Sequence, residues 1–87
     1  APDIVVEIVS PSSTRLDRVR KFALYERAGV PEYWLLDYRQ RWFAIHELRD
    51  GRYHAVPADA DGRVRSRVLP GLSVSAKDLF AGIPPTA

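Results

Sequence analysis

The most apolar stretch of the chain comes first. Pro2-Asp3-Ile4-Val5-Val6-Glu7-Ile8-Val9-Ser10 is a near-continuous β-branched run closed by Ser10-Pro11, the pattern of a strand buried on both faces inside a parallel or mixed sheet. Residues 1–9 are therefore expected to form a central strand. The period then changes to that of a helix over residues 14–28, with Ser13 or Thr14 as N-cap, Asp17 completing a capping-box pattern with Thr14, and Gly29 as the stop. Leu16, Val19, Phe22 and Ala23 make an apolar stripe expected to pack on the sheet, while Asp17, Lys21 and Tyr25 recur every fourth residue along a second stripe.

Residues 32–57 read as strands. The segment 32–37 follows the helix closely enough for a strand-helix-strand crossover and so should run parallel to the first strand. Segments 42–48 and 53–57 form an antiparallel pair turning through Arg49-Asp50-Gly51-Arg52. In the C-terminal part, 63–80, a strand at 63–68 is followed by a bend at Leu69-Pro70-Gly71-Leu72 and a short helix capped by Ser75. The tail from Gly82 onward is expected to be loose. This order predicts an α/β chain with a mixed sheet.

Composition sets bounds on this picture. The chain has 87 residues, 46% of them hydrophobic and 28% charged, which suits one small globular domain. The absence of cysteine excludes disulfides, thiolate metal sites and a cysteine nucleophile, and fits a reducing cytoplasm. No apolar stretch approaches the roughly 18 to 20 residues of a membrane span, so no membrane partner is expected. The net charge of +2 and a pI near 9.3, carried mainly by arginine, permit a phosphate-bearing partner. The chain has no methionine and starts at its most buried-looking strand. It is expected to be the C-terminal part of a longer protein, an incomplete domain whose earlier strands and helix would flank residues 1–9.

Glu7 is the anomaly in the first strand. A carboxylate among isoleucines and valines is costly unless a cation, a metal or hydrogen-bond donors meet it, and the Asp17/Lys21/Tyr25 row is the one placed to do so. One reading of Glu7 and Lys21 is an ion pair that clips helix to strand. The other is a phosphodiesterase site, in which the carboxylate helps to hold a hard divalent cation and the ammonium meets the phosphate.

The order Pro2-Asp3, Glu7, Ser10-Pro11, then Asp17, Lys21 and Tyr25, then Gly29-Val30-Pro31-Glu32-Tyr33-Trp34-Leu35-Leu36-Asp37, resembles the bacterial family of "putative restriction endonucleases" within the PD-(D/E)XK nuclease superfamily. Leu69-Pro70-Gly71-Leu72 and Asp78-Leu79-Phe80 resemble that family's C-terminal end. The resemblance implies a restriction-endonuclease-like core, Mg²⁺ or Mn²⁺ as cofactor, DNA as substrate, Glu7 as metal ligand and Lys21 as its catalytic companion, with the carbonyl of Ile8 as a further ligand. Two departures accompany it. The superfamily's usual lysine stands two positions after the acid, where this chain has Val9, and the family's other metal-binding aspartate belongs to an earlier strand. Asp3 does not replace it, since at about 3.3 Å per residue it lies roughly 13 Å along the strand from Glu7.

Asp3, Asp17 and Tyr25 are supporting candidates. Arg15, Arg18, Arg20 and Arg27 are candidates for DNA phosphates, with a solvated helix face as the equal alternative. Asp37 reads as a turn starter, and His46 and His54 lack ligand spacing and read as structural. Two rival readings stay open: a non-catalytic DNA- or protein-binding module that retains the nuclease fold, and a fragment whose first strand pairs with another copy in a homodimer.

Overall fold

The structure is a computed structural model that describes residues 2–82; residues 83–87, most of the tail expected to be loose, lie outside them. The described chain runs β1 (Ile4–Ile8), α1 (Arg15–Ala28), β2 (Glu32–Asp37), β3 (Trp42–Arg49), β4 (Arg52–Ala55), β5 (Arg63–Arg65), β6 (Ser73–Ser75) and α2 (Ala76–Leu79). Strands β1 to β4 make a mixed sheet in sequence order, with β1 parallel to β2 and the later pairs antiparallel. Strands β5 and β6 form a separate antiparallel ribbon.

Local sequence explains most of these boundaries. Thr14 caps α1 by accepting the Asp17 amide at 3.0 Å. Gly29 ends the helix at φ 77°, a left-handed conformation that costs glycine little. The β3–β4 hairpin turns through Asp50 (φ 51°) and Gly51 (φ 78°), the two positive φ values that suit the twist of a two-residue hairpin loop. Asp37 starts the turn after β2 by accepting the amides of Arg39 and Gln40 at 3.0 and 2.9 Å.

The sheet has two differently filled faces. On one, Trp34, Ile45 and Val64 form the hydrophobic core, with Ile4, Leu36, Phe43, Val56 and Val74 packed around it, so the β5–β6 ribbon is its cover. On the other lies α1, where Phe22 meets the rings of Tyr33, His46 and Tyr53 edge-on at 6.1, 5.3 and 5.2 Å.

Three expectations need correction. Among the described residues β1 is an edge strand, and it is not buried on both faces. Val6 and Ile8, on the ribbon side of the sheet, are 53% and 59% exposed, because β1 has one neighbouring strand and of its residues only Ile4 reaches the core.

The second correction concerns α1. Leu16, Val19 and Ala23 face away from the sheet, with Leu16 65% exposed. The half-buried side carries Arg18, Lys21, Phe22, Tyr25 and Glu26. Those side chains have partners on the sheet: Lys21 meets Glu7, and Glu26 accepts the Tyr53 amide at 2.7 Å. The sheet face offered to the helix is aromatic and polar, so it selects the mixed side of α1 over the aliphatic one. Accordingly, Leu16→Gln should change stability by less than about 0.5 kcal/mol, whereas Phe22→Ala should cost about 2 kcal/mol by loss of ring packing. Urea unfolding midpoints of the two variants check this; equal losses would put the apolar stripe back on the sheet.

The third correction is that β5 stops at Arg65, short of the expected 63–68, and β6 was not anticipated. After Arg65 the chain turns towards Glu32. This side chain is fully buried and accepts from Trp34 Nε1 at 2.6 Å, Ser66 Oγ at 2.7 Å, and the amides of Arg67 and Val68 at 3.0 and 3.2 Å. Residues 66–68 serve the acid instead of extending the strand.

Candidate active site between the first strand and its helix

Alternation along β1 puts Val5, Glu7 and Val9 on the side of α1. Lys21, just before the middle of α1, reaches down to that face, and its Nζ donates to Glu7 Oε1 at 2.7 Å. The Glu7 side chain is 13% exposed and the Lys21 side chain 39%, so the pair has a sheltered acid and an amine open to solvent. Asp17 Oδ2 lies 3.5 Å from the same Nζ. The hydrogen bond from Lys21 to Glu7, then the charge of Glu7, raises the Lys21 pKa above its ordinary 10.5.

Tyr33 was not singled out in the sequence, and it belongs to this neighbourhood. Register places it opposite Val5, on the same face as Glu7. Its ring is fully buried, 5.2 Å from the ring of Tyr25. Its hydroxyl is buried and has no hydrogen-bond partner of good geometry. Burial, and next the nearby Glu7 charge, raises its pKa beyond the usual phenol range. The signal was available in the parity of the two strands: a crossover that pairs Val5 with Tyr33 must set that ring beside Glu7.

Glu7, Lys21, Asp17, Tyr25 and Tyr33 are thus brought together. Asp3 is not; it is exposed and precedes the first residue of β1. The Ile8 side chain points to the opposite face, but its carbonyl is differently placed. Val9 N donates to Leu36 O at 2.7 Å, so the other end of that planar trans peptide, the Ile8 carbonyl, points away from β2 to the open edge of the sheet. Of the arginines, Arg15 and Arg18 line a shared hollow with Phe22 and Leu35. Arg20, two residues from Arg18, lies on another side of the helix and is exposed.

A divalent cation of the Mg²⁺ type takes about six oxygen ligands. Among the described residues no three His, Cys, Asp or Glu side chains are grouped to hold one, and Glu7 already accepts from Lys21. These residues offer part of a cation site and do not complete it.

Beyond Val9, where β1 and β2 end, lies a cavity of about 520 Å³ lined by residues that include Ser10, Ser13, Arg18, Asp37, Gln40 and Trp42. The Arg18 Nε is buried beside it without an acceptor. An unpaired buried donor of this kind costs on the order of 1–3 kcal/mol.

His46 stands at the far side of the aromatic layer, with Nδ1 3.2 Å from the Tyr33 carbonyl. Burial lowers its pKa below 6.5, more than the carbonyl contact raises it. The unfolded chain therefore binds the proton more readily, so this stability contribution is complete above about pH 6.5 and is lost as pH falls below it. Urea unfolding midpoints from about pH 7.5 down to pH 5 should decline more steeply in wild type than in His46→Phe; parallel profiles would remove His46 as the cause.

The mixed sheet, crossover helix and β-ribbon define a nuclease-like α+β fold. A solved structure described as a "putative nuclease" from Anabaena variabilis matches it with a TM-score of 0.71 at 23% identity, over 93% of this chain and 45% of that one. The chain thus spans less than half the length of that protein. The family model described as "Uma2: Putative restriction endonuclease" matches residues 1–77, and the chain belongs to this family. No curated protein matches it. No helix among the described residues is long and apolar enough to cross a membrane.

Proposed function

We propose that this chain carries the glutamate-lysine half of a metal-dependent DNA phosphodiesterase centre. The observation that supports the reading is the 2.7 Å contact between a sheltered Glu7 and a solvent-facing Lys21, in a chain of nuclease family and fold. An ion pair that served only to fasten helix to sheet would not need its cation open to solvent beside an acid that is not.

In this reading the Lys21 ammonium meets negative charge that develops on the phosphate oxygens. Asp17 and Glu7 hold the ammonium in place from two sides. Glu7 and the carbonyl of Ile8 would be oxygen ligands of Mg²⁺ or Mn²⁺, which in such centres activates water and neutralises phosphate. At least one further acid is needed beyond those that the described residues group there. Arg15 and Arg18 suit contacts to flanking phosphates better than Arg20 does, because they share one side of α1. The test is cleavage of DNA by the full-length protein with Mg²⁺ or Mn²⁺, with and without substitutions at Glu7 and Lys21.

One observation favours a rival reading, the homodimer, in which the open edge of β1 takes a second copy's strand in place of a metal at the Ile8 carbonyl. The outer edge of β1 has no strand beside it among the described residues, and Val6 and Ile8 are exposed next to that edge, a combination that invites strand addition. Sedimentation of the 87-residue chain should show concentration-dependent association that Ile8→Lys weakens; a monomer at every concentration would count against it.

A further inference from the structure

We propose that the cavity at the ends of β1 and β2 receives one unpaired nucleotide of the DNA strand, with its base on Trp42 and its phosphate at Arg18. The inference rests on the reading of the chain as a DNA-cleaving module and adds to it the form of DNA that is held. Val9, on the cavity wall, is two residues beyond Glu7 on the same side of β1, about 7 Å along the strand. That is roughly the distance between successive phosphates in an extended single strand, so a nucleotide here would adjoin a phosphate at Lys21.

Size and polarity select the ligand. A volume of about 520 Å³ falls in the range of pockets for small organic ligands and exceeds what a lone phosphate fills. The lining is divided. Ser10, Ser13 and Arg18 offer hydroxyls and a cation; Arg18 has no ion-pair partner among the described residues, and its buried Nε lacks an acceptor. Trp42, Gln40, Asp37 and Arg39 offer a half-buried aromatic ring, an amide, a carboxylate and a second guanidinium.

Asp37 Oδ1 is occupied by the Arg39 and Gln40 amides, which leaves Oδ2 as an acceptor. A carboxylate opposes a second anion there and suits N–H donors, such as the exocyclic amine of adenine, cytosine or guanine, whereas thymine has only its ring N3–H. An indole suits the flat face of any base. A phosphate at one end and a base with an amino group at the other match this lining. A paired base could not enter without leaving its stack.

The test is a titration of the full-length protein, in EDTA so that cleavage is absent, with single-stranded d(A)6, d(T)6 and a blunt duplex, followed by tryptophan fluorescence. Of the two tryptophans of this chain, Trp34 is buried on the other face of the sheet with its N–H on Glu32, and a change that Trp42→Phe abolishes is the one that reports Trp42. Expected are quenching by d(A)6, weaker binding of d(T)6, and a loss of affinity for d(A)6 of about tenfold or more in Trp42→Ala and in Arg18→Gln. Lys77→Ala, a change on the exposed surface of α2, should bind as wild type does.

Should Trp42→Ala fail to fold, Arg18→Gln and Gln40→Ala carry the test on their own. The proposal is overturned if d(A)6 causes no quenching, or if the pocket variants bind as wild type does. It is equally overturned if the duplex binds as tightly as d(A)6 with the same sensitivity to Trp42. None of these results bears on metal-dependent cleavage at Glu7 and Lys21, and a protein that binds d(A)6 through the pocket but never cleaves would remove the nuclease reading alone.

Discussion

Glu32→Ala is expected to remove a large share of the chain's stability, more than any other single substitution considered. The side chain is fully buried and accepts four hydrogen bonds, from Trp34, Ser66, Arg67 and Val68. It ties the centre of the sheet to the strap that follows β5. Removing the carboxylate leaves those donors without an acceptor in a space that water does not enter freely. Breaking a buried, charge-assisted network of this kind costs about 3–5 kcal/mol, against a total stability of roughly 4–13 kcal/mol for a domain of this size.

Glu32→Gln keeps the shape but turns one acceptor into a donor that faces other donors, so an intermediate loss is expected. Urea unfolding followed by circular dichroism gives both values. A loss below about 1 kcal/mol in the alanine variant would mean that other acceptors take over the four donors.

The second large effect is expected at Lys21 and concerns activity instead of stability. Lys21→Met in the full-length protein should lower DNA cleavage by about 10²- to 10³-fold, the loss typical when one charge-stabilising donor is removed from a reacting centre. The fold should persist, because the helix remains fixed by Phe22, Tyr25 and Glu26, although stability falls somewhat as the sheltered Glu7 loses its cation. Lys21→Arg should not restore the rate, since a planar guanidinium does not place a compact charge at the same point.

The pH profile offers a second readout. Glu7 raises the Lys21 pKa above 10.5, so the amine stays protonated across roughly pH 6 to 9 and should contribute no falling limb there. A rate that tracks deprotonation of Lys21 within that range would show that Glu7 does not hold the ammonium.

Much of this site can be read from the sequence, and the reasons for the failures are physical. The crossover, the Thr14 and Gly29 caps and the Asp37 turn follow from local chemistry: a hydroxyl for a free amide, a residue without Cβ where φ is positive, a carboxylate two residues before a free N–H. The meeting of Glu7 with Lys21 follows from two periodicities, every second residue on the strand and every fourth on the helix.

Burial was less legible, because it depends on what lies opposite. Leu16 and Val19 look like core residues only until the sheet face is known to carry Glu7, Tyr33, His46 and Tyr53. Val6 and Ile8 look doubly buried only if strands stand on both sides. Glu32 escaped notice beside the more conspicuous Glu7, although it is the deeper acid, because three of its four partners lie 34 to 36 residues away in the chain. The Trp42 cavity depends on the meeting of the β1–α1 connection, the first turn of α1 and the β2–β3 turn, which no short pattern encodes.

The most direct test is plasmid cleavage by the full-length protein with Mg²⁺ or Mn²⁺, comparing wild type with Glu7→Gln. Glutamine keeps the size and a carbonyl oxygen but gives up the charge, so cleavage should fall to background while the unfolding midpoint stays near that of wild type. Equal cleavage by the two proteins would show that Glu7 has no part in the chemistry and that its contact with Lys21 only fastens a helix to a strand.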